Sequence, residues 1–139
     1  MRALFISLAA LQFAVASPSF AGDAEIKSAQ TSVESQLKAL QGDDAALAYS
    51  FAAPNVKKIF PTVDAFMGMV TSGYMPVRKP ENFSFGKSEE KSASQIWQQV
   101  FLVGPDGKDY EALYTLELQE DGVWRITGVS LRASNSLST

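Results

Sequence analysis

The stretch that decides the fold runs from Trp97 to Leu131 and reads WQQVFLVGPDGKDYEALYTLELQEDGVWRITGVSL. Two turn signals, Gly104-Pro105-Asp106-Gly107 and Glu120-Asp121-Gly122, separate three runs that are rich in aromatic and aliphatic residues. Turn residues between such runs are typical of β-hairpins. The stretch therefore predicts three consecutive antiparallel strands.

The pairing of these strands follows from a three-residue loop in each hairpin, with Gly122 of the second loop in the left-handed conformation. In the second hairpin this loop brings apolar and oppositely charged partners together: Leu118 with Trp124, Leu116 with Ile126, and Glu117 with Arg125. Such cross-strand pairs each stabilise a sheet, so their agreement favours this register. The same register predicts Tyr114 opposite Gly128, and in the first hairpin Gln98 opposite Tyr114.

Residues 1–21 have the composition of a secretory signal peptide. Arg2 supplies a positive charge, a long apolar run follows, and the small residue Ala21 closes the segment. The pattern predicts cleavage after Ala21 and a single periplasmic or secreted domain over residues 22–139. The apolar run is too short to span a bilayer comfortably, so no membrane attachment is expected after cleavage. The alternative is an uncleaved amphipathic N-terminal helix.

The composition excludes several kinds of site. The chain has no cysteine and no histidine, which rules out disulfides, cysteine nucleophiles, Ser-His-Asp triads and zinc sites built on thiolate or imidazole. Its neighbouring carboxylates suit helix caps and turns rather than a converging set of cation ligands, so no metal or other cofactor is predicted. A net charge of −3 and the lack of a basic stripe argue against nucleic-acid binding.

The chain that follows the signal peptide is predicted to begin with a helix. Its apolar residues recur at helical spacing: Ile26, Ala29, Val33, Leu37 and Leu40. Gly42 is expected just after the helix end. Asp43 or Asp44 is expected to cap a shorter second helix, which Pro54 stops.

Further helical turns are predicted from Asn55 and, capped by Thr62, from Val63 to Gly73. Phe83 and Phe85 then alternate as in a strand, and the polar stretch 87–94 is expected to be a loop. Helices followed by a meander of strands predict an α+β fold, with the N-terminal helices packed on one face of an antiparallel sheet.

An ordered set of short motifs resembles the bacterial domain-of-unknown-function family 4864. The set consists of Phe51-Ala52-Ala53-Pro54, Phe60, Phe66-x-x-Met69-Val70-x-x-x-Tyr74-x-Pro76-Val77, Trp97-Gln98-x-Val100 and Gly122-x-Trp124-Arg125-Ile126-x-Gly128-Val129. That family looks related to the nuclear-transport-factor-2-like, or cystatin-like, superfamily. The resemblance implies a cone-shaped fold in which helices wrap a strongly curved sheet. It implies no catalytic residue, because the family has no assigned activity.

One face of the predicted meander offers candidates for a ligand pocket. These are polar or aromatic side chains that the registers place toward the helices: Gln98, Tyr110, Tyr114 and Trp124. Apolar walls with a few polar groups are typical of small-molecule pockets. The alternative is a solid core in which each polar atom has a backbone partner.

The opposite face of the sheet offers candidates for an interface. The registers place an apolar stripe there: Trp97, Phe101, Leu113, Val129 and Leu131. An exposed apolar stripe indicates a partner, and proteins of the resembled fold often pair sheet to sheet as homodimers. The alternative is that the C-terminal tail or a bulge at Gly128 hides these residues.

The leading hypothesis is a noncatalytic exported module that binds a small apolar ligand or a protein partner, as a homodimer. The alternative is a small cone-fold lyase, isomerase or hydrolase that uses tyrosine and aspartate. Asp64 could serve there as a general base, although its position in the first turn of a helix equally suits the helix dipole. A purely structural or assembly protein is the third class.

Overall fold

The structure is a computed structural model and describes residues 22–134, so the predicted signal peptide lies outside the described residues. Its helices are α1 (Asp23–Gln41), α2 (Ala45–Ser50), α3 (Pro54–Ile59), α4 (Val63–Gly73) and α5 (Met75–Arg78). Its strands are β1 (Asn82–Ser92), β2 (Gln95–Val103), β3 (Asp109–Leu118) and β4 (Trp124–Ala133). The strands form one antiparallel sheet in the order β1-β2-β3-β4, with the helices packed against it. The predicted α+β fold class is confirmed.

Helix boundaries follow the capping residues in the sequence. The Asp44 side chain accepts a hydrogen bond from the Leu47 amide at the start of α2, and Thr62 accepts one from Ala65 at the start of α4. Helix α2 ends at Ser50, before Pro54, as expected, and α3 begins at Pro54, one residue before the expected start at Asn55. The fixed φ angle and missing N–H of Pro54 suit that position.

The two hairpins have the predicted loops. Gly107 and Gly122 have φ angles of 75° and 81°, in the left-handed region. Gln98 lies opposite Tyr114, and Leu118 lies opposite Trp124, as the three-residue loops predict.

A bulge in β4 changes the second register beyond Ile126. Thr127 is an extra residue, so Thr115 lies opposite Gly128, and Tyr114 lies opposite Val129 rather than Gly128. The Thr127 hydroxyl stabilises the bulge through hydrogen bonds to Thr115, at 2.8 Å to the hydroxyl oxygen and 3.0 Å to the carbonyl oxygen.

The bulge reverses the side to which two predicted interface residues point. An inserted residue shifts the alternation of every side chain after it. Val129 and Leu131 were expected on the face away from the helices, but both pack against the core. We call the face toward the helices the inner face and the opposite one the outer face.

Strand β1 extends through the polar stretch that was expected to be a loop. A bulge opposite Gln99 interrupts its pairing with β2 between Phe85 and Ser88, after which pairing continues to Ser92. Gly86 lies in this bulge, where a Cβ atom would come within 2.5 Å of Gln99 Oε1. The stretch is polar because alternate residues, Lys87 and Glu89 among them, lie on the solvated outer face of an edge strand.

The core lies between α1 and the inner face of the sheet. Its largest fully buried side chains include Trp124 and Tyr114 from the sheet and Leu37 and Leu40 from α1. The Trp124 indole N–H donates to a carboxylate oxygen of Glu25 at 3.0 Å, which ties the start of α1 to the start of β4. Within residues 22–134, no helix is long and apolar enough to cross a membrane.

Candidate functional site

A cavity of about 260 Å³ lies between the helices and strand β4. We call it the helical cavity. Most of its lining is apolar and comes from α1, α3, α4 and β4, for example Leu40, Val56, Phe66, Val70, Ile126 and Val129. Its polar lining residues are Gln36, Asn55, Tyr74 and Thr127. No Asp, Glu, Lys or Arg is among the described residues that line it.

Backbone pairing holds one wall of this cavity in place. The segment between α2 and α3 forms a short parallel bridge with β4, in which Ala53 N–H donates to the Ile126 carbonyl and Ile126 N–H to the Phe51 carbonyl, both at 2.8 Å. The Asn55 amide then donates to the Thr127 carbonyl at 2.9 Å. These bonds attach the start of α3 to the bulge.

The polar groups of the lining are only partly used within the protein. The Tyr74 hydroxyl donates to the Val129 carbonyl over 3.4 Å, a long hydrogen bond. The Gln36 side chain is buried, and its nitrogen donates to the Ala48 carbonyl at 3.1 Å. The site therefore has apolar walls and a few polar groups, and its described lining holds no carboxylate or amine side chain.

The four residues predicted from the sequence to form a pocket are not among those that line this cavity. Gln98 and Tyr114 are cross-strand neighbours on the inner face, and both are completely buried. Trp124 lies in the core against Glu25. Tyr110 lies near the first hairpin, where its hydroxyl donates to Asp106 Oδ2 at 2.6 Å.

Gln98 has a structural explanation for its burial. Its oxygen accepts from the Gln30 amide at 3.1 Å and from the Ser88 hydroxyl. Its nitrogen donates to the carbonyls of Gly86 at 3.3 Å and Gln99 at 2.8 Å. Both ends of the carboxamide therefore hold the β1 bulge against β2 and α1.

The tyrosines near the sheet core are weaker acids than usual. Burial raises the pKa of Tyr114, and the hydrogen bond to Asp106 raises the pKa of Tyr110 and lowers that of Asp106. A general acid or base works best with a pKa near the working pH, so these shifts run the wrong way for catalysis. Asp64 is exposed in the first turn of α4 and does not line the cavity.

The outer face carries a second depression, a groove of about 440 Å³. Trp97 and Leu113 line it, and Phe101 lies on the same face of β2. Trp97 is 38% exposed and Phe101 40%, and Lys91 Nζ lies 4.2 Å above the Trp97 ring. Three of the five predicted interface residues thus share this face. Val129 belongs to the helical cavity instead, and Leu131 packs against the core while also lining the groove.

Charged side chains surround the apolar centre of this groove. Lys87 and Glu89 approach each other at 3.2 Å, and Arg132 pairs with Glu111 at 2.5 Å. All four line the groove. The outer face therefore combines exposed aromatic rings with a groove whose lining carries two positive and two negative side chains.

The sequence could not distinguish the lining of the helical cavity from ordinary core. Phe66 and Val70 have the helical spacing of any buried helix face, and Ile126 continues the alternation of a buried strand. The gap between them depends on how the elements pack. One signal was present: Pro54 suits the first position of a helix, so residues 51–53 before it were readable as a junction between two helices.

The fold and the cavity define a small α+β protein with an apolar pocket between its helices and one antiparallel sheet. The chain belongs to the family described as a domain of unknown function (DUF4864), which matches residues 22–139. This confirms the resemblance drawn from the sequence.

A solved structure shows the same fold. It is that of a protein of unknown function with a cystatin-like fold from Nostoc punctiforme PCC 73102, superposed with a TM-score of 0.59 at 7% sequence identity. The superposition covers 86% of this chain and 98% of that one. At this identity the likeness concerns the fold alone. A comparison with curated proteins finds no match.

Proposed function

We propose that this protein is an exported, noncatalytic module that binds a small apolar molecule in the helical cavity. The observation that carries the proposal is the lining, which combines apolar side chains with a few polar groups. An apolar cavity of about 150 Å³ holds benzene. The helical cavity, at about 260 Å³, has room for a ligand of roughly ten non-hydrogen atoms.

The absence of charged side chains from the described lining further limits the kind of ligand that the cavity can bind. Burying an ion without a partner costs far more free energy than burying a neutral group. Among residues 22–134, the lining contains no Lys or Arg to pair with an anion and no Asp or Glu to pair with a cation. The expected ligand is therefore neutral. The described lining holds one phenol, Tyr74, but no carboxylate to act as a general base, which disfavours the lyase, isomerase or hydrolase alternative.

Export rests on the N-terminal sequence and on the extent of the family match. Residues 1–21 have a positively charged start, an apolar run and a small residue before Gly22. The family match begins at residue 22, where the mature chain is expected to start. The test is to express the full chain in a bacterium and measure the intact mass of the protein in the periplasmic fraction. A chain that keeps residues 1–21 and stays in the cytosol would contradict export.

Ligand binding is tested with ethylbenzene, a neutral probe of eight non-hydrogen atoms, followed by NMR of the cleaved protein. We expect resonances of Val70, Ile126 and Val129 to shift and saturate. Val56→Trp places a large ring in the cavity and should weaken binding by roughly tenfold, because the space is lost. Val123→Trp, in the second hairpin and outside the described cavity lining, is the matched control. No saturable shift in the wild-type protein would refute the proposal.

A second candidate function is self-association through the outer face. Its support is the exposure of Trp97 and Phe101 beside a rim with two positive and two negative side chains. Such a rim can pair with a second copy of itself, in which each cation meets an anion. The expected result is a concentration-dependent dimer in sedimentation velocity, weakened by Phe101→Ser. Ile59→Ser removes an apolar side chain that is 71% exposed on the helix side and is the control. A monomer at high micromolar concentration would exclude this candidate.

A further inference from the structure

The orientation of the Gln36 side chain is set by the one hydrogen bond that it makes within residues 22–134. A backbone carbonyl only accepts hydrogen bonds, so the group 3.1 Å from the Ala48 carbonyl oxygen must be the carboxamide nitrogen. The carboxamide oxygen therefore points away from Ala48. It is a hydrogen-bond acceptor with two lone pairs.

That oxygen accepts no hydrogen bond from residues 22–134, since the bond to Ala48 is the only one that the Gln36 side chain makes there. Among the described residues, only the Tyr114 hydroxyl is a side-chain polar atom that is both fully enclosed and without a hydrogen-bond partner. The Gln36 oxygen also has no partner there, so it is not fully enclosed and keeps some accessible surface. Gln36 is only 4% exposed, and it lines the helical cavity. We therefore take the cavity to be the space that its oxygen meets.

The other polar lining residues differ from Gln36 in exposure. Asn55 is exposed, and its side-chain amide donates a hydrogen bond to the Thr127 carbonyl. Tyr74 and Thr127 are half-buried, and their hydroxyls donate to the carbonyls of Val129 and Thr115, respectively. Water can satisfy groups near the surface, whereas a buried acceptor left unpaired by a bound ligand costs free energy.

We propose that Gln36 is the specificity-determining residue of the helical cavity and that it selects neutral ligands with a hydrogen-bond donor, such as a hydroxyl group, on an apolar body. This inference rests on the proposed function, since it concerns the ligand of the same cavity. A donor on the ligand satisfies the Gln36 oxygen. A plain hydrocarbon or an ether displaces water from that oxygen and leaves it unpaired.

The test compares three probes with eight non-hydrogen atoms each: benzyl alcohol, which has a donor, methoxybenzene, which has only an acceptor, and ethylbenzene, which has neither. Their dissociation constants are measured by NMR for the wild-type protein and for Gln36→Met. Taking the ratio of mutant to wild type for each probe cancels the different solubilities of the probes in water. We expect this ratio to be roughly fivefold larger for benzyl alcohol than for ethylbenzene, as for one neutral hydrogen bond. Methoxybenzene should behave like ethylbenzene.

A second readout does not depend on the variant, which also loses the bond to Ala48. In the wild-type protein, the carboxamide carbonyl carbon of Gln36 should shift on saturation with benzyl alcohol more than on saturation with methoxybenzene. Equal ratios for the three probes, or equal carbonyl shifts, would overturn the inference while leaving the cavity a binding site. If none of the probes binds the wild-type protein, the proposed function fails as well.

Discussion

Replacing Tyr114 with phenylalanine should stabilise the protein. Tyr114 is fully buried on β3, and among residues 22–134 its hydroxyl has no hydrogen-bond partner. Taking a hydroxyl out of water without a new partner costs about 1–3 kcal/mol. Phenylalanine removes that oxygen and keeps the ring in place. Since the small gap left by the oxygen offsets part of the gain, we expect the free energy of unfolding at pH 7 to rise by about 1 kcal/mol.

The same residue should give the stability a distinct dependence on pH. Burial raises the pKa of Tyr114 above its ordinary value of 10.0, because the phenolate is desolvated. The folded state therefore holds this proton more tightly than the unfolded state. The resulting stability is fully present below pH 10 and is lost as the pH rises above it, by at most about 1.4 kcal/mol per pH unit. The Tyr114→Phe variant should lack this component of the decline.

The assay is urea unfolding at pH 7 and at several values above pH 10, monitored by the fluorescence of the buried Trp124. Tyr110→Phe is the control, because it removes a hydroxyl that does have a partner, the Asp106 carboxylate. That variant should be neutral or slightly less stable at pH 7. A Tyr114→Phe protein that loses 1 kcal/mol or more would refute the reasoning, since it would show that the hydroxyl has a partner inside the folded protein.

Three further predictions concern substitutions of Arg78, Gly86 and Gly68. Arg78→Ala should lower the free energy of unfolding by about 1–2 kcal/mol in urea titrations, because Arg78 donates to the Leu40 carbonyl at the C-terminal end of α1 and to Asp43; an unchanged midpoint would contradict this. Gly86→Ala should destabilise by about 1 kcal/mol, since the added Cβ displaces Gln99, whose oxygen accepts from the Lys87 amide. Gly68→Ala, in the open interior of α4, should instead stabilise by about 0.5–1 kcal/mol, and thermal melts that rank the two alanine variants the other way would refute both assignments.

The sequence predicted those parts of the fold that depend on local chemistry. The two hairpins follow from glycines that adopt positive φ angles and from cross-strand partners such as Leu118 and Trp124. The cap at Thr62 was equally readable, and the cap of α2 was limited to Asp43 or Asp44, of which Asp44 is the one observed.

The errors arose where a single extra residue changes the register. Apolar residues alternate as Trp124 and Ile126 and then, after the bulge, as Val129 and Leu131, so the parity change around Thr127 was visible in the sequence. The sequence did not show that this change marks a bulge. Gly128 has no side chain, so it is compatible with either register. The residues predicted to form a pocket do not line the helical cavity for a different reason. Gln98 and Trp124 do face inward, but their polar atoms are used by Ser88, Gln30 and Glu25 within the core.

The bulge also explains where the helical cavity lies. At Ile126, the segment between α2 and α3 covers the free edge of β4. Both the N–H and the carbonyl of Ile126 form backbone hydrogen bonds with that segment. At Thr127 the cover is reduced to the Asn55 side chain, and at Val129 to the long bond from the Tyr74 hydroxyl. After its bridge to β4, the segment between α2 and α3 turns away from the strand at Pro54 and enters α3. The cavity therefore lies where the bulge ends the backbone pairing and places Val129 toward α4, so its position is a consequence of the β4 register and not only of helix packing.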